Sequence, residues 1–434
     1  MRYRLMAVCL LGTWLAVTPA HARPTQKSDL LFGLRSASLE QAVELGAGWC
    51  AGPTITWGVI APRRGSLNWS RLDAVVRSAG VAGVELVPTL CCFSSWGSAP
   101  ALVKSNAANR SLQRSGYPAD EKAWRGFVSA LVERYDGDGN GDMPGLRQPI
   151  KCWQLERELP RGWAGSGADL VRFLRLTYPL VKAADPGATV VAGGLAANIL
   201  YACAFVDRAL PALTVDSRPL DRANLEANKT YREQREVVDA LLGPGAGYYD
   251  VVDLHLFGNC EAIPQVVEWV NSRPGVRAKP KWCLQGGGPV ARFDGSAEDP
   301  DLPGYVLKWY VMLAAAGVQR GAWDAAAEAG SAEAYREAAL FTAGGPRRAA
   351  CTAYRTARTK LAGFIEVRAS KPLPEVTFVR FTMPSSRISV LWASTPRTID
   401  VTRYRGTKLT NAEGKPVPLP SEKMELGPAP LYAE

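Results

Sequence analysis

Histidine is almost missing from this chain: 434 residues contain two, His21 and His255. His21 falls in a leader-like start, so a mature protein keeps His255 alone. One imidazole excludes a multi-histidine zinc site and leaves any Ser-His-Asp relay dependent on that residue. No CxxC pair occurs, which removes the usual thiolate-zinc and redox spacings. No apolar run after the first residues approaches the length that crosses a bilayer, so no integral membrane segment is expected. Lys and Arg outnumber Asp and Glu by 51 to 41, a formal net charge of +10. They are scattered, with no long basic block. Nucleic acid is therefore not the expected partner, and anionic wall or polysaccharide material is.

The start reads as an export signal over residues 1–22. Arg2 and Arg4 precede an apolar run from Leu5 to Val17, and Ala20-His21-Ala22 offers a small-residue cleavage site. Cys9 lies in that run without a lipobox pattern. The expected location is exported, periplasmic or extracellular. The remaining chain, about 410 residues, has room for a domain of roughly 250 or more plus a smaller one. It keeps Cys50, Cys91, Cys92, Cys152, Cys203, Cys260, Cys283 and Cys351. Export permits disulfides, but the sequence does not give a pairing. Cysteines inside strands serve equally as small buried apolar residues.

Short apolar strands alternate with amphipathic helices. The strand segments are Leu30 to Gly33, Gly48 to Ile55, Val84 to Leu90, Cys152 to Glu156, Thr189 to Ala192, Val251 to Leu256, Lys281 to Leu284 and Gln319 to Trp323. Between them lie helical patterns. Ser38 to Gln41 forms a capping box, Ser70 to Ala79 stops at Gly80, and Trp124 to Tyr135 carries an apolar stripe. Eight such units in one run predict an α/β fold, a (β/α)₈ TIM barrel over 23–345, rather than an open sheet. A closing helix, Cys351 to Leu361, follows. Then come alternating segments at Val376 to Thr382, Ile388 to Ala393 and Thr398 to Tyr404, which predict a small C-terminal all-β domain within 346–434.

Two segments carry chemistry. Trp153 to Glu158 and Lys279 to Gly287 are short apolar strands that end in polar residues, Glu158 and Gln285. A barrel brings such strand ends together on one face. Trp57, Trp96, Trp163 and Trp323 follow strands or lie in the loops after them. They are candidate platforms for the apolar faces of sugars, although core packing is the commoner fate of a tryptophan.

Several segments together resemble the clan of retaining β-glycosidases built on (β/α)₈ barrels, which includes β-xylosidase-like and cellulase-like enzymes. They are 57–73, 133–139, the two strand ends above, Asp253-Leu-His-Leu-Phe257 and 426–432. The resemblance implies that Glu158 holds the acid/base position and that Gln285 holds the position of a nucleophilic Glu. The chain departs from the pattern at four points. Arg157 replaces the Asn before the acid, Gln285 is an amide, Ala51 stands where an Arg is usual, and Phe257 replaces the Tyr two residues after His255. A Gln amide has the shape of a carboxylate without its charge and is a poor nucleophile. Glu158 is expected as a carboxylate paired with a cation rather than as a poised acid.

Three readings follow. The first is an exported glycosidase-derived protein, inactive or impaired, that keeps a carbohydrate ligand. The second is a working glycoside hydrolase that uses Glu158 and another carboxylate, Asp324 or Glu156. The third is an interaction protein whose cleft is filled by Arg157 and its neighbours. None requires a cofactor. Structural calcium is the one candidate ion, because Asp136, Asp138, Asn140 and Asp142 place oxygens at alternate positions. The twelfth position of that loop is Arg147 instead of Glu, so the alternative is a plain Gly/Asp turn.

Overall fold

The computed structural model describes residues 28–108, 113–215, 218–288, 302–324, 338–342, 346–402 and 407–434. The export-signal reading of 1–22 lies outside them. Eight parallel strand positions make the barrel: β1 (Phe32–Arg35), β2 (Trp49–Thr56), β3 (Glu85–Cys91), β4 (Cys152–Leu155), β5 (Thr189–Ala192), β6 (Val252–Asp253, resuming at Leu256–Phe257), β7 (Lys281–Gly287) and β8 (Val318–Trp323). Their order is β5-β4-β3-β2-β1-β8-β7-β6. The Val191–Val251 and Leu195–Leu254 bridges join β5 to β6 and close the ring.

Alternation along the strands separates inside from outside. Trp49, Ala51, Val87, Cys152, Val191, Val251, Trp282, Leu284 and Ala322 form one cluster, supplied by six strands and the residue before β6. That cluster is the barrel interior. Phe32, Leu34, Leu90, Trp153 and Val190 belong to the other, larger core, which packs on the helices. At the end where the strands begin, Arg320 pairs with Glu85 at 2.8 Å. Its guanidinium also lies over the rings of Trp49 (5.3 Å) and Trp282 (4.5 Å). This contact fills the floor and gives the buried cation one carboxylate and two aromatic faces.

The helices follow from the predicted stripes, with shifted ends. α1 (Leu39–Leu45) opens with the capping box on Ser38 and stops at Gly46, whose φ is 73°. α2 (Ser70–Ala82) runs through Gly80 and ends at Gly83, so the predicted stop is corrected by one turn. α3 (Glu121–Tyr135) and α4 (Gly167–Ala184) turn their apolar faces onto the sheet. α5 (Ala197–Val206), α6 (Lys229–Leu242), α7 (Ile263–Asn271) and α8 (Leu302–Ala316) continue the ring. α9 (Ala349–Leu361) packs on α8 through Tyr354 and Tyr310, whose ring centroids are 5.5 Å apart.

The C-terminal domain is all β, as expected. A six-stranded antiparallel sheet contains β9 (Glu366–Leu373), β10 (Val376–Thr382), β11 (Arg387–Ala393), β13 (Leu409–Thr410), β14 (Pro416–Val417) and β16 (Leu431–Ala433). A separate pair joins β12 (Arg397–Asp400) to β15 (Lys423–Leu426). β9 escapes sequence reading because almost all of its residues are exposed and no apolar alternation marks it. Phe364, Val379, Phe381, Val390 and Trp392 merge with the core of the barrel.

Glu261, just before α7, ties the two domains together. It accepts from the Trp392 indole N–H at 2.7 Å and from the Thr377 hydroxyl at 3.2 Å, and Lys371 lies 3.3 Å away. Hydrogen bonds to a charged group contribute more than neutral ones. Glu261→Ala is expected to lower stability by about 2 kcal/mol in urea unfolding. An unchanged midpoint would show that the apolar contact alone holds the domain.

Candidate functional site

The polar residues collect where the barrel strands end, as this architecture dictates. β4 stops at Leu155, and the chain then turns sharply: Glu156 and Glu158 both have positive φ, 67° and 29°. Non-glycine residues rarely hold such backbone, and when they do it is often at functional sites. The turn corrects the expectation that Glu156 and Glu158 share one strand face. Glu156 is fully buried, whereas the Glu158 side chain is 31% exposed.

Glu156 accepts the Cys92 N–H at 2.6 Å through Oε1, and among the described residues its Oε2 meets no donor within hydrogen-bond geometry. Burial pushes its pKa up to about 7, against the opposing pull of the Cys92 N–H, the Ser115 hydroxyl and the Arg157 charge. It is therefore a carboxyl group poised to hold its proton near neutrality, but it is sealed from solvent. The cation that reaches Glu158 is Arg161, at 3.7 Å. Arg157 is half-buried, and its guanidinium donates to the Gln113 carbonyl.

On the other side of the mouth, Gln285 is half-buried near the end of β7. Its Nε2 donates to Asp324 Oδ2 at 2.9 Å, and the Ser36 hydroxyl donates to Asp324 Oδ1, also at 2.9 Å. Asp324 follows β8 and is 8% exposed. Its carboxylate thus occupies the amide of Gln285.

Below this layer a polar chain crosses the interior. The Thr89 hydroxyl donates to Gln154 Oε1, Gln154 Nε2 donates to Asp253 Oδ2 at 2.6 Å, and the Leu284 N–H donates to Asp253 Oδ1 at 2.7 Å. His255 Nε2 lies 3.5 Å from Asp253 Oδ2, and its Nδ1 has no hydrogen-bond partner among the described residues. Gly194 allows this approach, since a Cβ there would collide with the imidazole and the Asp253 carboxylate. Ala51 sits in the interior cluster, and Phe257, at the end of β6, is buried in the larger core.

The aromatic platforms need correction. Trp57 is wholly buried, edge-on to Trp96 and Trp124 and packed on Gly97. Trp323 is also wholly buried, against Gly287, Trp309 and Tyr305, with its indole N–H on the Ala338 carbonyl at 3.1 Å. Trp163 lies in the core. These rings face protein on all sides and leave no face for a sugar. Trp96 is half-buried, with its N–H on the Ala61 carbonyl at 2.7 Å.

The eight cysteines are free thiols, and all are buried. They act as the small apolar residues that strand interiors favour, the second of the two roles the sequence left open. Sequence reading also missed Arg35 and Ser36. The first strand was expected at Leu30 to Gly33, but a 3₁₀ turn takes Ser28–Leu31 and shifts β1 forward, bringing Arg35 and Ser36 to its end.

Away from the mouth, Asp136, Asp138 and Asp142 bring ligand oxygens within 4.8 Å of one another. Gly137, Gly139 and Gly141 have positive φ and let the loop curl around them. Burial raises the pKa of Asp136, and the charges of Asp138 and Asp142 add to the rise. The Asn140 backbone and side-chain N–H groups both donate to Asp138. The Asn140 side chain therefore turns to Asp138 rather than standing as a separate ligand. The donor set is all oxygen, which suits calcium.

Neither a family model nor a curated protein sequence matches the chain. Solved structures do. A family 39 glycoside hydrolase from Bacteroides cellulosilyticus is similar with a TM-score of 0.65 and 13% identity, over 94% of this chain and 82% of that one. A family 51 α-L-arabinofuranosidase from Bifidobacterium longum gives 0.55 and 13%, over 95% and 97%. A family 30 endoxylanase from Clostridium papyrosolvens gives 0.54 and 12%, over 94% and 97%. The chain thus has the glycoside-hydrolase-like fold: a parallel (β/α)₈ barrel with a C-terminal β domain. Among the described residues, no helix is long and apolar enough to cross a membrane.

Glu156 generates a pH prediction. Its pKa in the folded state, about 7, lies above the ordinary value of 4.5, so the folded state holds the proton more tightly. The stability this gives is complete below about pH 4.5 and is lost as pH rises through about 7, roughly 3 kcal/mol in all. Wild-type unfolding free energy should fall across that window by an increment that Glu156→Gln lacks. Parallel pH curves for the two proteins would refute the assignment.

Proposed function

We propose that this chain is an exported, glycoside-hydrolase-like protein that has lost retaining glycosidase chemistry and keeps its barrel mouth for a saccharide. The observation that carries the reading is the 2.9 Å hydrogen bond from Gln285 Nε2 to Asp324 Oδ2. A retaining mechanism needs two carboxyl groups roughly 5–5.5 Å apart, one of them free to attack the anomeric carbon. Gln285 has no anion to offer, and its amide donor is taken up by Asp324. Export is supported by the basic, apolar and small-residue order of the first 22 residues.

A working hydrolase with a relocated carboxylate is the competing reading. Asp324 is the stronger substitute, because Glu156 is sealed inside. Two donated hydrogen bonds lower the nucleophilicity of Asp324, however, and fix its direction. The test is turnover of aryl β-glycosides and wall oligosaccharides by the mature protein, Glu158→Gln and Asp324→Asn. The expected result is hydrolysis at the buffer rate for all three. Turnover in the wild type that either substitution abolishes would establish an enzyme and end the proposal.

The Asp136–Asp142 loop is proposed as a structural calcium site. Millimolar calcium is expected to raise the melting temperature by several degrees, and Asp138→Ala should remove the rise. Equal melting temperatures with calcium and with chelator would assign the loop to a plain turn.

A further inference from the structure

We infer that Arg35 is an anion-recognition residue and that the barrel mouth takes a saccharide bearing a carboxylate, a uronic-acid residue. The inference deepens the proposed saccharide-binding role and rests on it.

The alternation of β1 decides where Arg35 points. Phe32 and Leu34 belong to the outer core, while Gly33 lies against the Trp49 ring of the interior cluster. Arg35 is two residues beyond Gly33 and so faces the axis at the rim. It is half-buried, and among the described residues its side chain has no hydrogen-bond or ion-pair partner. Its strand neighbours explain why. In register on β2 stands Ala51, which has no polar atom to offer. On β8, Leu34 is opposite Trp323, so Asp324 comes next along that strand. Asp324 instead accepts from Ser36 and Gln285.

The second cation of the rim is Arg157. The charges of Arg35 and Arg157 both act on the Cys91 thiol at the end of β3, pulling its pKa down against the larger effects of burial and the Glu156 charge. Glu158, a half-buried carboxylate of the rim, has Arg161 beside it.

Holding a guanidinium partly out of water without a partner is unfavourable. The group is a planar fork of donors that matches a carboxylate with two parallel hydrogen bonds. A neutral sugar offers only hydroxyls, and a uronate supplies the missing anion. The same cation would instead be idle if it only balanced Asp324 and Glu158 at a distance.

The experiment is calorimetric titration of the mature full chain at low salt with a panel of uronate oligosaccharides: galacturonate, glucuronate-substituted xylan and alginate fragments. Each is paired with its carboxyl-reduced neutral form. At least one acidic member is expected to bind tenfold or more tightly than its neutral twin. Arg35→Gln should erase that difference, and Arg35→Lys should restore part of it. Because the Arg35 side chain has no hydrogen-bond or ion-pair partner among the described residues, Arg35→Gln should melt no lower than wild type, which separates lost recognition from misfolding. Equal binding of acidic and neutral twins would overturn the inference while leaving saccharide binding intact. An acidic preference that survives Arg35→Gln would overturn it too. No binding by any member would overturn both readings. A preference for sulfated oligosaccharides over uronates would overturn the carboxylate assignment.

Discussion

Asp253 is buried at the centre of the barrel, and what satisfies it comes from neighbouring strands. Gln154 on β4 and the Leu284 N–H on β7 donate to its two oxygens, Thr89 on β3 orients Gln154, and His255 closes the fourth side. A buried carboxylate is tolerated only when its hydrogen bonds are met. Meeting them here couples β3, β4, β6 and β7. The layer above inherits that arrangement, since two of these strands carry a residue of it just past the network: Glu156 lies two positions after Gln154 on β4, and Gln285 directly after Leu284 on β7.

That layer separates the roles of its carboxyl groups by environment. Glu156 is buried with its pKa raised to about 7, Asp324 accepts from Gln285 and Ser36, and Glu158 is half-buried beside Arg161. In a retaining glycosidase two of these groups would share the reacting sugar between them. Here the amide of Gln285 stands in one place, and its partner is a carboxylate rather than a substrate. The positive groups have also moved. Ala51 leaves the second strand without a cation, and Arg35 brings one from the first strand, in register with it. The mouth becomes a place for recognising charge.

Much of the fold was legible in the sequence. Eight alternating units give a barrel because strand and helix periodicities are strong where one face is buried, and the capping box at Ser38 and the stripe of α3 fall where their patterns put them. β9 was not legible, since an exposed strand carries no alternation. The site was legible only in part. Glu158 and Gln285 could be picked from their strand ends, but the left-handed backbone at Glu156 and Glu158 is set by the packed turn. Tryptophan count misled for a simple reason. Trp57 and Trp323 follow strands as platforms do, yet each fills a space opened by a glycine, Gly97 or Gly287, that no local pattern announces.

The central claim is that no carboxylate of this mouth can form a covalent glycosyl adduct. It is tested most directly by intact-mass spectrometry after long incubation with activated 2-deoxy-2-fluoro-glycosides, which trap such adducts in retaining enzymes. The account predicts an unchanged mass for the wild-type protein across a panel of sugars. A stoichiometric adduct, mapped to Asp324 or to any other carboxylate at the mouth, would contradict it.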